Sequence, residues 1–430
     1  MPDRFGGTEI YTLNLAKAQK SKKHTVFIVC PDYWGRSDTI YDGIDVKYYY
    51  EARRVAKKQE LIGATAPEGL FNFINLIKLL GADIVHFHEI SGSNGISAFH
   101  VESLKRENII NLVTFHVVNN SCKTGTLLYK NKYICDGKII ENKCVKCAIN
   151  KRISFKYLTN LVSSLSILIY KLNLPFPRLI SYPKSIFYLK FNLNKIFNNT
   201  DKIILLANWY KNVLMINGIP ENKIEIVKSA CGLPISNEFE RAKKVIFKKM
   251  IFLGRITFDK GLHVLINAIK LLKDSDILID VYGPIEDKEY FNNCLNAIKK
   301  NQLNIKFNES VEPYNILNLL KGYDALVLPS FSEMSSLVIQ EAFTAGIPVI
   351  ASNISGNAEQ ITDRKNGLLF DVGNEYSLKN TILYFYNSSN LKSSLIDGIS
   401  KQSRNFSIVS DELESIYLKI INSTTVKSKQ

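Results

Sequence analysis

Between residues 151 and 200 the sequence contains no aspartate and no glutamate. The same stretch holds eight Lys or Arg and nine Phe or Tyr. Basic residues interleaved with aromatics suit an anionic membrane surface or nucleic acid. A solvated helical face backed by an aromatic core has the same composition. Cysteine is scarce as well, seven residues in 430, which excludes the dense disulfide scaffold of small secreted domains. No uncharged apolar run reaches the length of a membrane-spanning helix, and nothing at the start reads as a cleavable signal. The expected location is cytoplasmic, peripheral to the inner face of the membrane if the basic region serves lipid.

With 46% hydrophobic and 22% charged residues, the chain has the composition of a globular enzyme, and its length leaves room for two domains. The net charge of +15 is uneven. Residues 1–200 hold 28 Lys or Arg against 15 Asp or Glu, whereas 201–430 hold 27 against 25. An anionic partner would therefore meet the first half.

Strand-like and helix-like segments alternate, the pattern of parallel α/β sheets covered by helices. Strands are expected at 24–29, 45–50, 83–87, 111–115 and 202–206, then at 250–253, 277–282, 325–328 and 349–351. Helices are expected after Thr8, Pro67 and Gly95, and from near Gly261, Asp287, Tyr314 and Ser336. A polar connection at 232–244 parts the halves. The expected domains are 1–232, with a cysteine-bearing insertion at 119–150, then 233–408, then a terminal helix and tail at 409–430.

The most informative stretch runs from Pro329 to Ser352, PSFSEMSSLVIQEAFTAGIPVIAS. An apolar strand leads through a polar loop into a helix, whose unpaired N–H groups face the crevice above the sheet. Ser335 and Ser336 are small, suited to capping and to close approach of an anion. Glu333 and Glu341 bracket seven residues and can hold two parts of one polyhydroxylated ligand. Gly254-Arg255 and Lys260-Gly261 also follow a strand and open a helix. Two fixed cations in a dry cleft can stabilise negative charge that grows on a bound ligand. Gly6 and Gly7 form a short loop before a helix, and His116 ends the strand LVTFH. His86 and His88 share one strand face and read as packing or cleft-lining residues. Asp274-Ser275-Asp276 is formally a D-x-D but lies in a helix-to-strand turn far from the other motifs.

These pieces together resemble the family 4 retaining glycosyltransferases, whose E-x7-E signature matches Glu333 to Glu341. The resemblance also takes in GGTEIYTLNLAKAQKSKKHTVFIV, ADIVHFH, LVTFH, FLGRITFDKGLHVLINAI, GNAEQI and NGLLF, in order along most of the chain. It implies a GT-B fold, two Rossmann-like doubly wound domains facing a cleft, with a C-terminal helix crossing back to the first. It further implies a nucleotide-sugar donor, a glycan or lipid-linked acceptor, and catalysis without a metal. Arg255 and Lys260 would contact the diphosphate, Glu333 the donor sugar and Glu341 the ribose. Gly6, Gly7, Gly254, Ser335, Ser336 and Leu337 would complete the donor site, and His116 would stand beside the reacting sugar.

The sequence departs from the family pattern in two places. Many relatives read E-G-F-G-L where this chain has Glu333-Met334-Ser335-Ser336-Leu337, which predicts an altered donor preference. Members also open with a strand before the glycine pair, central to the first sheet. This sequence starts MPDRFGG, so we expect a displaced start or a truncated gene, and a damaged first domain with impaired activity if the chain does start here. Cys122, Cys135, Cys144 and Cys147, spaced C-x12-C-x8-C-x2-C, form a candidate structural zinc set. Unliganded thiols or disulfides are the other readings, and Cys30, Cys231 and Cys294 read as incidental. Two rival functions stay open: a sugar-nucleotide epimerase on the same fold, and a basic nucleic-acid-binding protein without catalysis. No nucleic-acid partner is expected under the glycosyltransferase reading.

Overall fold

The computed structural model describes residues 6–52, 60, 62–90, 95–130, 133–150, 156–172, 174, 177–232, 248–272, 276–400 and 404–427. Residues 1–5, the connection at 233–244, and Asp274 and Ser275 of the D-x-D lie outside them. The chain divides into two compact units, Met1–Lys228 with Ser407–Gln430, and Ser229–Phe406.

Unit 1 opens with the helix Gly7–Ser21, then β1 (Phe27–Asp32), β2 (Thr39–Tyr41) and β3 (Ile44–Tyr50). The helix Leu70–Leu80 leads to β4 (Ile84–His88), and Ala98–Arg106 to β5 (Ile110–Phe115). After a small hairpin of β6 (Leu128–Tyr129) and β7 (Tyr133–Ile134) come the helices Glu141–Asn150, Lys156–Lys171 and Pro177–Asn199. β8 (Lys202–Leu205) and β9 (Ile224–Ile226) close the run, and the C-terminal helix Phe406–Lys427 belongs to the same unit. The acid-free stretch thus folds largely as two helices, which its composition alone did not specify.

Unit 1 has two main sheets, β1-β3-β2 and β4-β5-β8-β9. Among the described residues no strand joins β1 to β4. Side chains do the joining. Leu13 and Ala16 of the first helix pack with Ile28, Ile44 and Val46 of the smaller sheet, while Tyr11 lies against His88 and His116 of the larger. The C-terminal helix adds a second tie. Lys22 pairs with Asp411, Gln19 donates to the Tyr417 hydroxyl at 3.3 Å, and that hydroxyl meets His86 Nδ1 at 2.6 Å.

Unit 2 is a single six-stranded parallel sheet built from β10 (Lys248–Leu253), β11 (Ile277–Tyr282), β12 (Ile305–Asn308), β13 (Ala325–Leu328), β14 (Val349–Ser352) and β15 (Gly367–Phe370). Its order is β12-β11-β10-β13-β14-β15. Met250, Ile251 and Phe252 of β10 and all of β13 are buried, as strands covered on both faces require. β12 and β15 escaped sequence reading because they are short edge strands. The order reverses between β10 and β13. At such a switch point, neighbouring loops diverge and leave a crevice beyond the carboxyl ends of the strands.

No helix among the described residues is long and apolar enough to cross a membrane. The tie at Tyr417 can be tested. Tyr417→Phe leaves a buried imidazole nitrogen unpaired, and urea unfolding should show a loss of ~1–3 kcal/mol.

Candidate functional site

The switch point of unit 2 gathers the motifs. β10 ends at Leu253, which places Gly254 and Arg255 at its carboxyl end, and β13 ends at Leu328, which places the Pro329–Glu333 loop beside them. Two glycines let the loops close up. Gly261 has φ +72°, and a Cβ there would stand 1.9 Å from the Pro329 carbonyl oxygen. A Cβ on Gly356 would stand 2.1 Å from the Glu333 carbonyl oxygen. Any side chain at either position would push the loops apart.

Within this crevice Lys260 Nζ sits 2.6 Å from Glu333 Oε1, with both side chains largely buried. Ser330 Oγ donates to the same carboxylate oxygen at 2.8 Å. Ser352 donates to the Ser330 carbonyl, and Asn357 Nδ2 donates to the Ser352 carbonyl at 3.0 Å. The pair is therefore held on a chain of hydrogen bonds that reaches β14 and the short helix Ser355–Ala358.

Arg255 differs from its partner cation. Its guanidinium is half exposed, 2.9 Å from Glu286 and 3.8 Å from Asp259. An anionic ligand must draw it from these carboxylates. Ser336 occupies the position before the helix Leu337–Thr344 but makes no side-chain cap. The expected cap is absent, and no side chain at that position covers the helix N-terminus. Ser335 is partly accessible beside it.

The Glu341 carboxyl makes no hydrogen bond or ion pair with the described residues. It stays partly accessible, yet burial of its surroundings pushes its carboxyl up to about 8. The folded state thus keeps a proton that the unfolded chain releases near the ordinary carboxylate value. This contribution to stability is complete at low pH and lost as pH rises through about 8. Sequence reasoning missed one further element, the stack of Phe258, His263 and Phe331, with ring planes within 18° of each other. Phe331 N also donates to the Asp259 carbonyl at 2.7 Å, so the stack locks the Lys260 turn to the Glu333 loop. Residues so distant in sequence give no local signal of it.

Unit 1 carries the other expected residues. Gly6 and Gly7 begin the first helix. His116 is buried at the end of β5, with Tyr11 edge-on at 4.8 Å and its Nε2 3.2 Å from His88 Nδ1. Its Nδ1 makes no hydrogen bond with the described residues. His86 stacks on His88 at 4.5 Å, and desolvation holds all three imidazoles below their ordinary pKa and so neutral. Glu89, also missed, holds this loop. Its Oε2 accepts from the N–H groups of His116 (2.9 Å) and Val117 (3.1 Å), and its Oε1 from Asn120 (2.6 Å). Its φ of +69° is strained for a residue with a side chain. Burial pushes its carboxyl up to about 7 despite those donors.

The zinc expectation finds no support. Among the described residues no three His, Cys, Asp or Glu side chains are grouped to hold a metal ion. Cys122 Sγ meets Thr124 Oγ1 at 3.2 Å, Cys135 Sγ meets Asp136 Oδ1 at 3.6 Å, and Cys147 Sγ accepts from Lys130 N at 3.3 Å. Cys144 Sγ lies 4.0 Å from the Lys138 carbonyl, and burial pushes that thiol up to about 11. Burial also raises the Cys147 thiol.

Two family descriptions match the chain, "Glycosyltransferase Family 4" over residues 5–133 and "Glycosyl transferases group 1" over 236–402. Together they cover well over half of it. The chain belongs to the family 4 glycosyltransferases. Among similar proteins, an uncharacterised glycosyltransferase of Methanocaldococcus jannaschii is 29% identical over 49% of this chain and 56% of its own length. The Escherichia coli UDP-Gal:alpha-D-GlcNAc-diphosphoundecaprenol alpha-1,3-galactosyltransferase is 26% identical over 52% and 59%. The chain thus spans between about half and three fifths of the curated relatives it matches. Among solved structures, Anabaena HepE in complex with UDP and glucose aligns over 96% of both chains at 12% identity, TM-score 0.64. A Rickettsia africae glycosyltransferase aligns over 97% of this chain and 95% of its own at 19% identity, TM-score 0.65. These likenesses show a GT-B fold made of two Rossmann-like units.

Two outcomes follow from the site. Glu341→Gln should melt higher than the native chain by a margin that grows from pH 5 to pH 8.5, because the amide carries no proton to lose. Its affinity for a nucleoside diphosphate should fall about tenfold, ~1.4 kcal/mol, read by calorimetry. Glu89→Ala should cost ~1–3 kcal/mol in urea unfolding by orphaning three buried donors, whereas Glu89→Gln should recover most of the loss.

Proposed function

We propose that the chain is a retaining, metal-independent glycosyltransferase that moves a sugar from a nucleotide-sugar to a glycan or lipid-linked glycan during cell-surface polysaccharide biosynthesis. The observation that carries this reading is the Lys260–Glu333 pair at the switch point of unit 2. In a nucleotide-sugar a diphosphate and a sugar meet at one bond. A fixed cation and a fixed carboxylate, in contact, provide one group for each side of that junction.

In the transfer, the bond from the anomeric carbon to the diphosphate oxygen breaks and the diphosphate leaves with the electron pair. The acceptor hydroxyl oxygen forms the new bond to the anomeric carbon, and its proton passes to the departing diphosphate. Lys260 and Arg255 oppose the charge that grows on the departing oxygen, a stabilisation larger in the transition state than before it. Glu333 accepts from donor-sugar hydroxyls and Glu341 from the ribose. The first-turn N–H groups of the helix Leu337–Thr344 add dipoles of the same sign as the two cations. Gly254, Ser335, Ser336 and Leu337 line the donor side, with Gly6 and Gly7 at the start of unit 1. His116, neutral and with Nδ1 available, serves as a hydrogen-bonding partner for a sugar hydroxyl rather than as a charged acid. The galactosyltransferase activity of the Escherichia coli relative and the UDP and glucose of the Anabaena structure support a nucleotide-sugar as donor.

A thermal-shift and calorimetry panel of UDP, GDP, ADP and their common sugar conjugates tests the proposal. One nucleoside diphosphate should stabilise the chain selectively. Arg255→Ala should weaken it by about ten- to a hundredfold, ~1.4–2.8 kcal/mol, without changing the melting of the free protein, since the side chain is half exposed. Binding that is unselective, or unaltered in the variant, would remove the donor site from this crevice.

A further inference from the structure

The helix Lys156–Lys171 turns a row of leucines outward. Leu158, Leu161, Leu165, Leu168 and Leu172 recur at spacings of three and four, so they share one face. All five are exposed, at 46%, 67%, 45%, 54% and 59%. The side turned to protein carries Thr159, Ser163 and Ser166, each at 0%, beside the buried Ile167 and Ile169, where the helix packs against Glu141–Asn150 and Pro177–Asn199. A helix between core and water shows the opposite pattern, leucine inward and hydroxyl outward. Small residues at the helix contact with large aliphatics outside is the arrangement of helices whose outer medium is hydrocarbon.

We propose that this leucine face is a docking surface for an anionic lipid bilayer, with the helix lying in the plane of the interface. The charge is complementary. No acid occurs from 151 to 200, Lys171 and Lys190 are exposed, and Lys184 is partly so. The helix Pro177–Asn199 adds the exposed, stacked pair Phe187 and Phe191. Lys195 is not part of this surface, because its ammonium lies 2.8 Å from Glu102 and 3.8 Å from the Phe99 ring centroid. Since no described helix is long and apolar enough to span the bilayer, an interfacial position is the fitting one.

A second copy of the chain is the other occupant that a leucine seam can take. The seam covers two heptads, ~21 Å, against the roughly three to four that sustain a coiled coil. Pairing it would also bring two acid-free basic stretches together, which repel. Lipid answers both the apolar face and the charge. The inference deepens the acceptor-side reading above, resting on it only for the lipid-linked nature of the acceptor.

Cosedimentation reads the proposal without turnover. The probes are vesicles of phosphatidylcholine and phosphatidylglycerol in equal parts, beside pure phosphatidylcholine. The native chain should pellet with the anionic vesicles and less as salt is added. A Leu161→Ser, Leu165→Ser, Leu168→Ser protein should partition roughly tenfold less, as should Lys171→Gln, Lys184→Gln, Lys190→Gln. Both should melt and bind nucleoside diphosphate as the native chain does, which separates lost docking from lost folding. In Leu165→Trp, emission should shift to the blue with vesicles and be quenched by brominated lipid. A native chain that does not pellet, or pelleting indifferent to the serine changes, overturns the proposal. So does a leucine-dependent dimer in sedimentation velocity without vesicle binding, which would assign the face to a second copy. Loss of nucleotide binding with vesicle binding intact would instead fault the donor reading alone.

Discussion

Much of unit 2 is arranged around one ion pair that should be expensive to bury. Lys260 and Glu333 are both largely out of water, where two charges stabilise each other only if their geometry and remaining hydrogen bonds are good. The surroundings supply both. Ser330 donates to the carboxylate, Ser352 holds Ser330 through its carbonyl, and Asn357 holds Ser352. Gly261 and Gly356 remove the Cβ atoms that would keep the loops apart. The stack of Phe258, His263 and Phe331 stiffens the same junction from the other side. A site preorganised in this way spends little energy on reorganisation when charge moves.

Unit 1 solves the opposite problem, an arrangement of polar groups kept without charge. His86, His88 and His116 lie too close together and too deep to be protonated at once. Glu89 is forced into a left-handed backbone so that one carboxyl can accept from the two N–H groups after β5 and from Asn120. Strain of this kind persists only where several partners hold it, and here the partners position His116.

The sheets were legible because apolar runs such as those of β10 and β13 have few other uses, and their carboxyl ends located the loops that matter. The spacing of Glu333 and Glu341 marked the site for the same local reason. What stayed hidden was nonlocal. Glu89 sits one residue beyond β4 with nothing in its neighbours to announce the Asn120 contact, and the Phe258–Phe331 stack joins residues over seventy positions apart. The cysteine spacing could not settle the zinc expectation, because it brings the four thiols near one another without saying where each one points. Cys147 turned to the Lys130 N–H and Cys122 to Thr124. The acid-free stretch was visible at once, but its exposed leucines needed a helix to align them.

The ties that join the sheets of unit 1 also order events during synthesis. No backbone hydrogen bond crosses from β1 to β4 among the described residues, so side chains hold the smaller sheet to the larger, Phe73 between Tyr49 and Phe87 and those of two helices far apart in sequence. The helix Gly7–Ser21 leaves the ribosome long before Phe406–Lys427. Until the later helix emerges, His86 lacks the Tyr417 hydroxyl and Lys22 lacks Asp411. The unit that begins first can complete its contacts only after the whole of the other has been translated.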